Sequence, residues 1–364
     1  MVSFKYNGIS ALTLSEKITT PSFCMTKDGT TWYVPLFNGD AGDVITFDGY
    51  KYTLGTFKID NLRMAISRII GKKVSKVCCS GSTTWYIDNN NDLYGCGNNF
   101  SGQQGSVDTF KYVLTFTKRA SNVKEVVCST DTTWYITDSG DLYGCGTGDY
   151  GQQGSSDTSD VNTFTKRASN VKKVSCSRYT TWYIDNNNNL YGCGKGSYGQ
   201  QGSSDTSDVN TFTKRASNVK EVSCSSYTTW YIDNNNNLYG CGKGSYGQQG
   251  SSDTSDVNTF TKRASNVKEV VSSEYTTWYI DNNNNLYGCG YNSSGQQGSG
   301  DQTDVLIFTK RASNVKEVIC SYNTTWYIDN NNNLYGCGYG FYGQQGTETG
   351  TTYGTNVLTF TVKG

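Results

Sequence analysis

The sequence predicts an all-β protein, a β-propeller of four-stranded blades with one short helix near the N-terminus. Three observations carry that prediction. Seven tryptophans, Trp32, Trp85, Trp134, Trp182, Trp230, Trp278 and Trp326, each sit in a Thr-Thr-Trp-Tyr string, at spacings of 53, 49, 48, 48, 48 and 48 residues. A fixed period of this length marks one supersecondary unit repeated in tandem. Inside the unit the apolar residues fall in short β-branched and aromatic runs, and no stretch is helical in pattern. Antiparallel meanders of about 45–50 residues, arranged in a ring, leave only short protected edges.

The unit Val219 to Asn266 reads VKEVSCSSYTTWYIDNNNNLYGCGKGSYGQQGSSDTSDVNTFTKRASN, and equivalents start at Val74, Val123, Val171, Val267 and Val315. Its expected strands are Val219 to Cys224, Thr228 to Ile232, Leu238 to Cys241, and the equivalents of Val209 to Thr213. Asp233 to Asn237 is a turn-forming cluster between two strands. A turn centred on Asn235 places Trp230 opposite Gly240 and Thr229 opposite Cys241, so that a large ring lies over a glycine.

Residues 1–73 form a divergent segment ahead of six regular repeats, 74–364. Phe23 to Val34 reads as a hairpin with a Lys-Asp-Gly turn, and Asp43 to Phe47 with Tyr50 to Phe57 reads as another. Together they can build an irregular first blade. Asp60 to Ile70 has an acidic cap and helical spacing and is expected as a short bridging helix. The alternative is a six-bladed ring with an appended attachment domain.

Composition removes several function classes. The 364 residues include no histidine, which excludes Ser-His-Asp and Cys-His nucleophilic centres, imidazole bases and His-containing zinc sites. Lys+Arg and Asp+Glu both total 31, so the chain lacks the basic excess that nucleic acid or an anionic membrane calls for. No run approaches the ~20 apolar residues of a spanning helix, so no membrane insertion is expected. The start, MVSFKYNGISALTLSEKITT, shows no basic region followed by an apolar block, and no cleavable export signal is expected. Thirteen cysteines, an odd number in a chain long enough to bury a core, read as free thiols in a reducing, cytoplasmic compartment.

Val222 to Ile232, then the Asn-rich turn, then Leu238-Tyr239-Gly240-Cys241-Gly242 and Tyr246-Gly247-Gln248-Gln249-Gly250, resemble the regulator of chromosome condensation repeat. The resemblance covers the six regular copies. It implies a seven-bladed propeller, in agreement with the seven Trp-bearing strings. The chain departs from the family pattern in having Cys-Gly where the family has Trp-Gly, at Cys96, Cys145, Cys193, Cys241, Cys289 and Cys337. Thr228 stands where the family has a histidine. The long inserted hairpin that the founding nucleotide-exchange member uses on its GTPase has no evident counterpart.

Other motifs read as structure. Gly240 to Gly247 partly imitates a phosphate loop, but no helix follows and the string recurs in every blade. The cysteines contain no CxxC pair and read as small buried hydrophobes. One glutamine of each Gln-Gln pair is expected to satisfy backbone groups between blades. Lys214-Arg215 and its equivalents read as a solvated rim.

In a meander alternate connections share a side, so Asp233–Asn237 and Lys214–Asn218 lie on a bottom face, and Ser225–Tyr227 and Lys243–Asp256 on a top face. Bottom segments scarcely change between copies, whereas top loops change in nearly every copy. That asymmetry points to the top face as the binding surface. Its candidate partner-binding residues are Tyr150, Arg178, Tyr179, Tyr198, Tyr227, Tyr246, Glu274, Tyr275, Tyr291, Tyr322, Phe341 and Tyr342, rich in the rigid aromatic side chains that dominate binding hot spots. The expected function is a non-enzymatic interaction module for a protein partner, with no catalytic residue, cofactor or metal. One alternative is a surface or virion attachment protein binding a receptor or glycan, and a second is a regulator of a small GTPase.

Overall fold

The computed structural model describes residues 74–106, 111–346 and 354–363 in full and, within residues 1–73, the backbone of six strands. The chain divides into two compact units, Met1–Val74 and Ser75–Gly364. In the first, Ile18–Lys27 pairs with Thr30–Phe37 as the expected hairpin, Phe23 opposite Val34 and Met25 opposite Trp32. Val44–Phe47 pairs with Tyr50–Thr53 as the second. The two hairpins lie in different sheets, because the second joins Phe4–Tyr6 and Ile9–Ser10 in a four-stranded sheet of its own. The helix expected over Asp60–Ile70 lies outside the described residues.

The second unit is all β among the described residues. Six sheets, each of four antiparallel strands in sequence order, follow one another as propeller blades. The reference blade comprises Val219–Cys224, Thr228–Asp233, Leu238–Gly242 and Val257–Ala264. Trp230 stands opposite Gly240 and Thr229 opposite Cys241, the register expected from a turn centred on Asn235. The fourth strand is longer than the sequence suggested. It runs on to Ala264, with Lys262 opposite Tyr239 and register shifts on either side. The lysine of each Lys-Arg pair is therefore a strand residue rather than part of a bottom connection.

A side chain at Gly240 would overlap the Trp230 ring, so only glycine lets the indole lie against the neighbouring strand. The same contact recurs at Gly95, Gly144, Gly192, Gly288 and Gly336. From there the ring reaches the next blade. Trp230, Ile232 and Leu238 pack against Val267, Val270 and Tyr279, and Phe308 meets the indole edge-on at 5.7 Å. Four further layers repeat this arrangement, and Trp85, Trp134, Trp182, Trp230 and Trp278 are fully buried. At the two ends of the array the layer lacks its mate within the second unit. Val77 is 67% exposed and Leu334 is 39% exposed, where their interior equivalents are buried. Overpacking a tight core contact costs about 1–3 kcal/mol. Gly240→Ala should therefore lower the melting temperature by several degrees, checked by calorimetry on the full chain; an unchanged transition would show that the indole can move aside.

The first strands of successive blades adjoin and line the interior. Their third positions carry Lys76, Glu125, Lys173, Glu221, Glu269 and Glu317. Lys173 pairs with Glu221. Glu269 has no such cation. Burial, and then repulsion from Glu221 and Glu317, hold its carboxyl above the usual range. A raised folded-state value means that the native chain binds this proton more tightly than the unfolded chain. The carboxylate's cost is present above the folded pKa and vanishes as pH falls below the unfolded value of about 4.3. Glu269→Gln should raise the melting temperature at pH 7 and confer less as pH approaches 4, read from melting curves across that range.

Candidate functional site

The bottom turns have a structural reason to be invariant. Asp233 Oδ1 accepts hydrogen bonds from the backbone N–H of Asn235 at 2.9 Å and of Asn237 at 2.8 Å, and Asn237 Nδ2 donates to Asp233 Oδ2. Asn236 and Asn218 both adopt left-handed φ, 60° and 64°, which asparagine tolerates better than other residues with a Cβ. Val267 N–H donates to Asn236 O, so the turn also ties one blade to the next. These constraints correct the inference drawn from copy-to-copy variation: the bottom face is constant because its backbone demands it, and constancy there says nothing about function above.

In the top loops the framework falls to residues that do not vary. Ser225 Oγ lies 3.0 Å from Thr228 Oγ1 and accepts from the Tyr227 N–H, while Tyr227 O accepts from the Lys243 N–H. The side chain of Tyr227 is left to face outward. Gln248 Oε1 accepts from the Tyr246 N–H within its own loop. The glutamine contact between blades is made by the main chain instead, as Thr277 Oγ1 donates to Gln248 O at 2.9 Å.

The expected tyrosines converge. Tyr150, Tyr179, Tyr198, Tyr227, Tyr246, Tyr275, Tyr291 and Tyr322 form one continuous aromatic network across adjacent blades, with ring centroids 5.0–6.4 Å apart. Tyr227 and Tyr275 are stacked, at 5.6 Å and 21°. Burial, followed by the neighbouring Tyr227 and Tyr322, pushes the Tyr275 hydroxyl up, so it remains a hydrogen-bond donor at neutral pH. Arg178 lies over the Tyr179 ring and reaches Asp131 at 3.5 Å. Glu274 accepts from Ser226 Oγ at 3.3 Å. Phe341 and Tyr342 stand with Tyr339 in a separate exposed trio, and Tyr342 is 77% exposed.

Two residues in the network were missed by sequence reasoning. Lys195 places its ammonium 4.7, 4.8 and 5.8 Å from the ring centroids of Tyr150, Tyr179 and Tyr198. Lys243 lies 5.0–5.8 Å from those of Tyr198, Tyr227, Tyr246 and Tyr275. Each directly follows a Gly-Cys-Gly string, a position occupied in the other copies by Asn98, Thr147, Tyr291 and Tyr339. That variation was the available signal. Beside Lys195 a shallow pocket is lined by Asp131, Thr147, Asp149, Tyr150, Gln152, Arg178 and Tyr179.

The cysteines lie away from this surface chemistry. Cys241 Sγ sits 3.6 Å from Gln200 O of the preceding blade, and burial pushes the thiol up, as it does at Cys145, Cys193 and Cys289. Raised, buried thiols are poor nucleophiles. Among the described residues no group of three or more Cys, Asp or Glu is arranged to hold a metal ion. The Lys-Arg pairs split between two roles. Lys118 and Lys166 pair with Asp92 and Asp141 at 2.7 and 2.8 Å. Arg167, Arg215, Arg263 and Arg311 are partly buried.

Blade order, register and the interblade aromatic layer define a β-propeller. Its repeats are those of the regulator of chromosome condensation: the family model for that repeat matches residues 171–200 and 219–248. Solved structures of similar fold include human WBSCR16, at 16% identity and TM-score 0.69, covering 99% of this chain and 94% of that one. Prp20p of Saccharomyces cerevisiae matches at 16% identity and TM-score 0.68, covering 79% of this chain and 76% of that one. The same yeast protein bound to Kap60 gives 16% identity, TM-score 0.68 and coverages of 79% and 74%. No curated protein matches the chain in sequence. Among the described residues no helix is long and apolar enough to cross a membrane.

Native-state alkylation with iodoacetamide near pH 8 should modify the exposed Cys79 well before Cys145, Cys193, Cys241 and Cys289, with all thirteen cysteines reacting once the chain is denatured. Peptide mass mapping reads the order, and equal native labelling of Cys241 and Cys79 would contradict it.

Proposed function

We propose that the protein is a non-enzymatic interaction module whose top-face tyrosine network binds a protein partner. The supporting observation is the continuity of that network: eight half-buried or exposed rings, contributed by adjacent blades, already hold one another in place before any partner arrives. Preorganised aromatic side chains bury large area at low entropic cost, and several such contacts can act on one partner. Prp20p has been described with binding to Gsp1p and histones and has been solved with Kap60 bound, which supports a protein-binding role for this architecture. The likeness at 16% identity extends to fold, and the partner here is a separate matter.

Truncating Tyr179, Tyr227 and Tyr275 to alanine should weaken binding by about 1–2 kcal/mol per residue with little change in melting temperature. Replacing Lys166, Lys214 and Lys262 on the outer strands should leave binding almost unchanged. Affinity purification with the full chain identifies the partner, and titration calorimetry compares the two triple variants. Loss of binding in the lysine variant with normal binding in the tyrosine variant would move the site off the top face.

A further inference from the structure

We propose that the tyrosine network receives an acidic peptide segment of the partner, with Lys195 and Lys243 as its carboxylate-binding residues. This rests on the reading of the top face as the binding surface and adds the chemistry that the face selects. Both lysines are only partly exposed, and their ammonium groups flank a single ring, 5.8 and 5.3 Å from the centroid of Tyr198. Neither makes an ion pair with a carboxylate among the described residues, although Arg178 on the same face reaches Asp131. Cations held against aromatic faces are partly desolvated yet keep their charge available to a ligand. Two of them around one ring suit two neighbouring carboxylates, while the tyrosines cover the aliphatic stems and backbone of the segment that carries them.

The surroundings argue against an extended polyanion. Asp131, Asp149 and Glu274 belong to the same set of top loops, and the chain as a whole has a formal net charge of zero. A nucleic acid or sulfated glycan running across this face would meet those carboxylates in turn, and like charges in apposition are unfavourable. A short acidic cluster with neutral or basic flanks meets the lysines alone.

The full chain is panned against a displayed random-peptide library. Enriched peptides are then titrated by fluorescence anisotropy against wild type, Lys195→Gln with Lys243→Gln, Lys195→Arg with Lys243→Arg, and the Tyr179, Tyr227 and Tyr275 alanine variant. Enriched peptides should carry adjacent Asp or Glu. Their affinity should fall about tenfold or more in the glutamine variant, survive in the arginine variant, and weaken as salt rises. Melting curves establish that each variant is folded. Failure to enrich acidic peptides overturns the proposal. So does unchanged binding to the glutamine variant: if the tyrosine variant then loses the peptide, the face reading stands without its acidic ligand, and if it does not, both fall. Lysine-dependent binding of heparin or single-stranded DNA as tight as that of the peptides would replace the acidic segment with a polyanion.

Discussion

The indole of Trp230 fills the space that a side chain at residue 240 would need, and from that position it touches the blade that follows. Removing a buried tryptophan typically costs about 3–5 kcal/mol, a large part of a net stability of about 5–15 kcal/mol. The layer has a cost of its own: among the described residues the Nε1 atoms of Trp85, Trp134, Trp182, Trp230 and Trp278 have no protein acceptor, and an unsatisfied buried donor loses about 1–3 kcal/mol. The ring's packing outweighs that loss at every repeat. Because the indole sits on the second strand, the third strand needs only a small residue opposite its neighbour, and Cys241 fills that place as a buried weak donor rather than as a reactive thiol.

A blade boundary fixed by side chains in mid-strand leaves the loops at either end to different duties. The bottom turns are consumed by backbone geometry, with asparagines in left-handed conformation and an aspartate bonded to the turn above it. The top loops are braced by Ser225, Thr228 and the Gln-Gly turn, so the intervening side chains have no structural task and are free to carry tyrosine, lysine or arginine. The tyrosine network is thus a consequence of where the framework bonds lie.

Much of this was legible in the sequence. The Trp period gave the blades, and the Asn-centred turn gave the register to the residue, because antiparallel pairing is set by the turn once its centre is known. The fourth strand was read too short because Lys214 and Arg215 look like loop residues; in a strand whose faces alternate, the lysine reaches solvent and the arginine is partly buried. The tyrosines of the site could be seen as variable positions, but Lys195 and Lys243 could not be weighed until the structure brought rings from adjacent blades around them. The contrast between constant bottom and varying top was visible and misleading, since hydrogen bonding to Asp233 and the left-handed Asn236 are features of three-dimensional geometry.

The claim at the centre of this account is that framework and recognition are divided between the two ends of each blade. Hydroxyl-radical footprinting of the full chain, alone and with its captured partner, measures that division residue by residue. The account requires protection of Tyr179, Tyr198, Tyr227, Tyr246 and Tyr275 in the complex, with the bottom turns unchanged. Protection of the Asp-Asn turns, with the tyrosines as reactive as in the free chain, would contradict it.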